Sequence, residues 1–184
     1  MKRSGICVSC FAFYIIILLL ASIHFPLSQS QSSDLIDQIC KKTPFYDLCI
    51  STLHSSPLSP KTDLKGLALL MVNQIVANAS DTLSYIEGMI ENTKDPNMEQ
   101  ALAFCAELYI PVVKYILPQA ADAISHNRFV FASYSVSEAM NELFSCDKKF
   151  LSGSAQSPLG DRTSIVQKLV EVGEAIIKLL LSHY

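Results

Sequence analysis

The amino-acid sequence predicts an all-α fold, organised as an antiparallel four-helix bundle that follows shorter helical pieces. Apolar residues recur at steps of three and four along four long segments, which is the spacing of one face of an α-helix. The polar–apolar alternation typical of strands is absent, and Val and Thr never cluster. Short links join the four segments, so antiparallel packing of neighbouring helices is the economical arrangement. The chain has 184 residues, 50% of them hydrophobic, which is enough for one domain with a core.

Composition excludes several classes of protein. A chain with only 17% charged residues and 50% hydrophobic residues is not intrinsically disordered. With 14 Lys and Arg against 17 Asp and Glu there is no basic surplus to neutralise phosphates, which argues against a nucleic-acid partner. The 6 glycines form no GxGxxG or GxxxxGK[ST] pattern, so a glycine-cradled nucleotide cofactor is not expected.

Residues 1–30 have the order of a secretory signal peptide. Lys2 and Arg3 give a positive start, an unbroken apolar run covers residues 11–21, and small residues flank a cleavage point near Ser30. The alternative is an uncleaved membrane anchor, because a looser apolar stretch over residues 6–23 approaches the length of a membrane span. No charged stop-transfer patch follows, which favours cleavage, and no other segment is expected to span a bilayer.

Four cysteines remain once the signal is removed. Cys40, Cys49, Cys105 and Cys146 form an even set, which in a secreted domain indicates two disulfides, with free buried thiols as the alternative. Four cysteines allow three connectivities, and their spacing alone does not choose among them. Loss of Lys2 and Arg3 leaves 12 Lys and Arg against 17 Asp and Glu, a net charge of −5.

The helical segments follow in order along the chain. Residues 33–56 hold shorter pieces interrupted by Pro44, which either cap the bundle or extend from it as a hairpin. The first bundle helix is predicted to begin at Ser59-Pro60, with Ser as the cap and Pro in the first turn. It should end at Asp95-Pro96, because the residue before proline disfavours helical geometry. Its apolar face comprises Leu64, Leu67, Met71, Ile75, Ala79, Leu83, Ile86 and Ile90.

The second bundle helix is predicted from Pro96 to about Asn127. Pro111 and Pro118 lie inside it, and each removes a backbone hydrogen bond and crowds the preceding turn, so kinks or a break near Pro118 are expected. The remaining elements are a third helix from about Phe129 to Phe150, a Gly- and Ser-rich loop over 153–160, and a last helix that begins after Asp161 or Thr163.

Residues capable of catalysis are sparse. His54, His126 and His183 are far apart and lack metal-ligand spacing, so no metal is expected. Carboxylate pairs such as Glu138 with Glu142, or Glu171 with Glu174, fit the solvated faces of amphipathic helices. The sequence therefore argues against an enzyme and against any cofactor. Asn78-Ala79-Ser80 is a formal N-glycosylation sequon, placed in the middle of a predicted helix.

The segments around the cysteines share features with a known family. The first block reads Cys40-Lys41-Lys42-Thr43-Pro44-Phe45-Tyr46-Asp47-Leu48-Cys49, with Leu53 after it. The second block is Cys105 with Tyr109 four residues later. The third block reads Phe129-x-x-Ala132-x4-Ser137-Glu138-Ala139-Met140, with Cys146 and Phe150 beyond it. Together these blocks resemble the plant invertase and pectin methylesterase inhibitors over residues 34–184. Glu138 departs from the small residue that the family's Ser-Ala-Ala-Leu block has there.

The resemblance implies a fold, a pairing of cysteines and an activity. It implies an inhibitor domain over residues 31–184, with an N-terminal helical hairpin over 34–58 and a four-helix bundle over 59–184. It implies the disulfides Cys40–Cys49 and Cys105–Cys146. Members inhibit either pectin methylesterase or acid invertase (β-fructosidase) by one-to-one contact at the active-site cleft of the enzyme.

The start of the third bundle helix indicates which of the two enzymes is the target. Invertase-directed members resemble one another in a Pro-Lys-Phe stretch there, whereas this chain has Phe129-Val130-Phe131, so only the last Phe is kept. Pectin methylesterase is therefore the preferred partner and acid invertase the alternative. Phe129, Phe131 and Glu138 are the candidate contact residues, on a rigid wedge without chemistry of its own.

The expected location and the remaining alternative follow from the signal peptide. A pectin methylesterase inhibitor is expected in the extracellular cell-wall space, whereas an invertase inhibitor is also compatible with the vacuole. After signal cleavage no membrane association is expected. A secreted helical ligand or carrier without inhibitory activity is the further alternative, because a stapled helical bundle also suits those roles.

Overall fold

The structure, a computed structural model, describes residues 27–59, 62–151 and 157–183. Most of the predicted signal peptide, together with Pro60 and the first half of the predicted loop over 153–160, lies outside these residues. Throughout the described ranges the regular structure is helical, with no strand. The elements are α1 (Leu27–Cys40), α2 (Tyr46–His54), α3 (Leu64–Asn92), α4 (Pro96–Pro111), a π-helical segment (Val112–Ile116), α5 (Leu117–Ser125), α6 (Phe129–Leu151) and α7 (Gly160–His183).

The long helices form the predicted four-helix bundle. The first long helix, α3, packs against α4, α5 and α7, and α6 packs against the same three, so α3 and α6 lie diagonally across the bundle. Short links place consecutive helices antiparallel. The core is built from buried apolar side chains of every long helix, among them Met71, Leu102, Leu143 and Ile176. The all-α prediction is confirmed.

The two short helices form the N-terminal hairpin. Helices α1 and α2 pack against each other and rest on the bundle through α3 and α7. The Cys40–Cys49 disulfide joins them. Between them the Thr43 hydroxyl donates to the Cys40 carbonyl over 2.8 Å, which closes the turn before Pro44. Helix α1 begins at Leu27, so it continues on both sides of the cleavage point predicted near Ser30.

The start of α3 differs from the prediction. The helix begins at Leu64, and the Asp63 carboxylate caps it by accepting from the Gly66 amide over 2.8 Å. The predicted start at Ser59-Pro60 is therefore wrong. Ser59 is buried, and its hydroxyl donates to the Leu53 carbonyl at the end of the hairpin. A carboxylate one residue before the helix satisfies amides of the first turn, which leaves Ser59 for this separate contact.

The helix with two internal prolines continues through both of them. Residues Pro96–Ser125 form one helical run of 30 residues, with the π-helical segment placed between Pro111 and Pro118. A π turn changes the hydrogen-bond spacing locally, which accommodates the missing N–H groups, so the break considered near Pro118 does not occur. The predicted start is confirmed, because Asp95 caps α4 by accepting from the Asn97 amide over 2.9 Å.

The same run corrects a second expectation. By length and composition alone, Pro96–Ser125 is long and apolar enough to cross a membrane, whereas only the N-terminal segment was expected to be so. Its buried side chains, such as Leu102 and Leu117, lie in the core of the bundle. The remaining helices agree with the prediction, since α6 covers Phe129–Leu151 and α7 begins at Gly160, slightly before the predicted start.

Candidate functional site

The turn between α5 and α6 has a defined backbone geometry. Asn127 has φ of 58°, the positive value that asparagine tolerates better than most residues. The Arg128 amide donates to the Ala123 carbonyl over 2.8 Å, and the Asn127 amide donates to the Ile124 carbonyl over 3.0 Å. This pair of bonds is a Schellman motif, which satisfies carbonyls at the end of α5 and turns the chain sharply.

The first turns of α6 expose a group of apolar and aromatic side chains. Val130 is 58% exposed, Phe131 47% and Tyr134 71%. Their spacing of three and four residues places them on one face of the helix. The Arg128 guanidinium lies 5.7 Å from the centroid of the Phe131 ring, which is within cation–π range. We call Arg128, Val130, Phe131 and Tyr134 the α6 N-terminal surface.

Charged groups surround the turn that precedes this surface. The Arg128 guanidinium forms an ion pair with the Asp122 carboxylate at the end of α5. The His126 ring lies 3.2 Å from the same carboxylate. From α3, the Lys65 ammonium donates to the Ser125 carbonyl over 3.0 Å and to Asn127 Oδ1 over 2.8 Å. Polar groups from two regions of the chain therefore converge on the four consecutive residues 125–128.

The predicted contact residues occupy different environments. Phe131 and Glu138 are exposed on α6. Phe129, by contrast, is only 4% exposed and lies in the core, so its ring is not accessible to a partner protein. Sequence reasoning missed Arg128, Val130 and Tyr134, although the helical spacing from Phe131 was a usable signal for Tyr134.

The other predicted site residues lie away from this surface. The structure contains the disulfides Cys40–Cys49 and Cys105–Cys146, and the second joins α4 to α6. Asn78 is half-buried in the middle of α3, where its side-chain amide donates to the Gln74 carbonyl over 2.9 Å. Its glycosylation stays a prediction.

A polar network crosses the core between α4, α6 and α7. The Tyr109 hydroxyl lies 3.4 Å from Thr163 Oγ1, and Gln167 Nε2 donates to Asp147 Oδ2 over 2.7 Å. Burial raises the pKa of Tyr109 to about 12, and burial likewise raises the pKa of Asp147, opposed by hydrogen bonds from Gln167 and Thr163. The network connects three helices with satisfied hydrogen bonds, which is the arrangement of a structural contact.

The described residues contain no cluster suited to a metal. No group of three or more His, Cys, Asp or Glu side chains within residues 27–59, 62–151 and 157–183 is placed to hold an ion. His54 and His126 lie on separate elements, the hairpin and the α5–α6 turn. The exposed aromatic side chains at the start of α6 make that surface the candidate contact site considered below.

Comparison with known proteins identifies the family. The family described as "Plant invertase/pectin methylesterase inhibitor" matches residues 34–176. The chain is 34% identical over 142 residues to cell wall / vacuolar inhibitor of fructosidase 1 of Arabidopsis thaliana, covering 77% of this chain and 67% of that protein. It is 39% identical over 101 residues to inhibitor of fructosidase 2 of the same plant, covering 52% of this chain and 56% of that protein.

A pectinesterase inhibitor and a solved structure also match. The pectinesterase inhibitor of Actinidia deliciosa is 29% identical over 141 residues, with 74% of this chain and 76% of that protein covered. The crystal structure of a mutant form of a pectin methylesterase inhibitor from Arabidopsis superposes with a TM-score of 0.68 at 19% identity, covering 78% of this chain and 95% of that one. This likeness concerns the fold. With its helical bundle, its two disulfides and the match over residues 34–176, this chain belongs to the plant invertase/pectin methylesterase inhibitor family.

Proposed function

We propose that this chain is a secreted protein inhibitor of an acid invertase (β-fructosidase), and that it acts by placing the α6 N-terminal surface in the active-site cleft of the enzyme. The observation that carries the proposal is the exposed Phe131 with the Arg128 guanidinium 5.7 Å from its ring. The Pro-Lys-Phe stretch of invertase-directed family members likewise combines an aromatic side chain with a cation. The fructosidase inhibitors that match at 34% and 39% identity support the same target.

This proposal reverses the preference for pectin methylesterase drawn from the sequence. That preference rested on the absence of the Pro and Lys of a Pro-Lys-Phe stretch at positions 129 and 130. In the structure, the Asn127 backbone at φ 58° makes the turn without proline. Arg128, although displaced in sequence, brings a positive charge to the Phe131 ring. Both missing features therefore have local substitutes.

Pectin methylesterase is the second candidate target. The specific observation in its favour is the match to the Actinidia deliciosa pectinesterase inhibitor, at 29% identity over 76% of that protein. In this case Glu138 and the neighbouring polar face of α6 would be the contact, and the bundle would exclude polymeric pectin from the cleft as a wedge.

A bundle of this kind suits inhibition by binding. Two disulfides and a buried polar network hold the helices before the enzyme arrives, so little conformational entropy is lost on docking. An exposed aromatic residue and an arginine at the centre of a contact are the residue types that contribute most to binding energy. We therefore propose a one-to-one complex in the cell wall or the vacuole, reached through the predicted signal peptide.

The test is a paired titration with full-length protein expressed in plant cells and purified from the culture medium. The oxidised protein is titrated against a plant acid invertase and a plant pectin methylesterase at pH 5 and pH 7. We expect loss of invertase activity with an endpoint at one inhibitor per enzyme. Loss of pectin methylesterase activity alone would make the second candidate the function. If neither enzyme responds, inhibition of these targets is rejected.

Phe131→Ala should weaken inhibition about 30-fold, the loss typical of a strong interface residue, because it removes the exposed ring. Phe144→Ala is the matched control, since Phe144 is 46% exposed on the same helix but two turns beyond Glu138. The measurement is the inhibition constant of each variant against invertase. Equal losses for the two variants would mean that the α6 N-terminal surface is not the contact.

A further inference from the structure

Lys65 forms a contact between parts of the chain that are distant in sequence. It lies in the first turn of α3, and its ammonium bonds to Ser125 and Asn127, 60 and 62 residues away. The two acceptors differ in kind, because one is a backbone carbonyl and the other is a side-chain amide oxygen. A single side chain therefore restrains both the end of α5 and the residue that reverses the chain.

The chemistry of the contact suits a cation. The last carbonyls of a helix carry partial negative charge, so an ammonium at the end of α5 is favourably placed. Asn127 is the one non-glycine residue with positive φ in the described ranges, and its side-chain oxygen accepts from Lys65 over 2.8 Å. Lys65 thereby supports a backbone conformation that most residues avoid.

The turn held in this way determines where α6 begins. The Arg128 amide closes the Schellman motif on the Ala123 carbonyl over 2.8 Å, and the Arg128 carbonyl accepts from the Ala132 amide over 3.0 Å. Arg128 thus ends one helix and starts the next. A shift at Asn127 would move Arg128 and, with it, the ring of Phe131 in the first turn of α6.

We propose that Lys65, acting through Asn127 and the end of α5, is a positioning residue that fixes the pose of the α6 N-terminal surface against the target enzyme. The inference rests on the proposed function, because a pose matters only if this surface binds. Lys65 itself need not touch the enzyme. It acts by holding Arg128 and Phe131 in the arrangement that the complex requires, so its loss should appear mainly in the rate of dissociation.

The test uses Lys65→Met, which removes the ammonium but keeps an unbranched side chain. Lys178→Met is the matched control, because Lys178 pairs with Glu174 over 3.0 Å on α7, away from the turn. The dissociation rate of each variant from acid invertase is measured at a temperature well below the unfolding midpoint of that variant. We expect Lys65→Met to dissociate about tenfold faster, as expected for one lost charged contact, and Lys178→Met to match the wild type. Lys65→Arg should restore most of the slow rate.

Two further readouts separate positioning from simple stability. In the free protein, hydrogen exchange at the Arg128 amide should be faster in Lys65→Met than in the wild type. In a double-mutant cycle, Phe131→Ala should cost several-fold less in the Lys65→Met background than in the wild type, because the ring is already misplaced. Additive losses would overturn the positioning role and leave Lys65 as a residue that only stabilises the fold.

The outcomes distinguish this inference from the proposed function. If the wild type inhibits and Phe131→Ala weakens it while Lys65→Met does not, the positioning role is wrong and the proposed function stands. If the wild type does not inhibit invertase, the proposed function is wrong, and the positioning role fails with it.

Discussion

At the scale of single residues, Asp147 makes the stability of the folded state depend on pH. Its carboxylate is half-buried beside Gln167, and burial raises its pKa above the ordinary value of 3.8. The folded state therefore binds this proton more tightly than the unfolded state does. Stability contributed by this group is highest below the ordinary pKa and is lost as pH rises through the raised value.

Asp147→Asn should remove that loss while keeping an oxygen that accepts from Gln167. We expect the difference in melting temperature, variant minus wild type, to be more positive at pH 7 than at pH 4. Asp37→Asn is the control with the opposite sign, because hydrogen bonds from Lys41 and Tyr46 lower the pKa of Asp37. Its difference should become more negative as pH rises. Thermal unfolding at the two pH values measures both, and parallel behaviour of the two variants would contradict the argument.

Individual residues show which contacts can be predicted from a sequence. The burial of Met71 or Leu143 follows from helical periodicity, because a local pattern is enough to place it. The bond of Asp147 to Gln167, the two bonds of Lys65 and the cation–π contact of Arg128 depend on tertiary packing or on an exact turn geometry. Periodicity carries no information on such contacts, so the proposed contact surface was predicted only in part.

At the scale of helices, substitutions at two glycines should change the free energy of unfolding in opposite directions. A Cβ at Gly173 in α7 would lie 2.9 Å from Ile75 Cδ1 in α3, so these two helices are close together at that point. Gly173→Leu must push them apart or distort the side chains between them. We expect it to reduce the free energy of unfolding by about 1–3 kcal/mol, as overpacked cores do. Urea denaturation at pH 7 provides the measurement.

Gly88 is the matched control within α3. No heavy atom lies within 4 Å of a Cβ built there, so an added methyl group meets open space. Gly88→Ala should raise the free energy of unfolding by about 0.5–1 kcal/mol, because alanine loses less backbone entropy in a helix interior. A stabilising Gly173→Leu would show that the spacing of α3 and α7 differs from the one described. A destabilising Gly88→Ala would show that position 88 does not face open space.

Helix boundaries were predictable where one local signal dominated. Asp95-Pro96 gave the start of α4 correctly, since an acidic cap followed by proline is unambiguous. Ser59-Pro60 has a similar pattern, but Asp63 is the residue that caps α3. Both positions precede the apolar face, and only the tertiary contact of Ser59 with Leu53 shows that Ser59 belongs to the hairpin. The sequence predicted one helix through Pro118 but left a break there open, since the π-helical segment that permits the passage has no clear sequence pattern.

At the scale of the whole molecule, fold class and target specificity differ in how they are encoded. The all-α bundle follows from repeated apolar faces that extend over most of the chain, so small local errors do not change it. Under the proposed function, the choice of enzyme depends on a few side chains at one turn, including Arg128 near Phe131. A difference of this size alters a binding surface without altering the bundle, which is why the target needs the paired titration.

The two disulfides should contribute unequally to the stability of the molecule. Cys105–Cys146 spans 41 residues and joins two bundle helices, whereas Cys40–Cys49 spans 9 residues within the hairpin. In the chain-entropy model the longer loop is worth about 4 kcal/mol and the shorter about 2.5 kcal/mol. Because all four cysteines are fully buried, paired substitution by alanine leaves a similar cavity in each case.

The comparison of the two alanine pairs therefore isolates the loop length. We expect C105A/C146A to reduce the free energy of unfolding more than C40A/C49A, by about 1.5 kcal/mol. Urea denaturation of both double variants, under identical oxidising conditions, measures the difference. The longer bridge also joins α6, which carries Phe131, to α4. Loss of this bridge should accordingly weaken inhibition as well. If C105A/C146A instead reduced the free energy of unfolding by the same amount as C40A/C49A, or by less, the hairpin rather than the bundle would limit global unfolding.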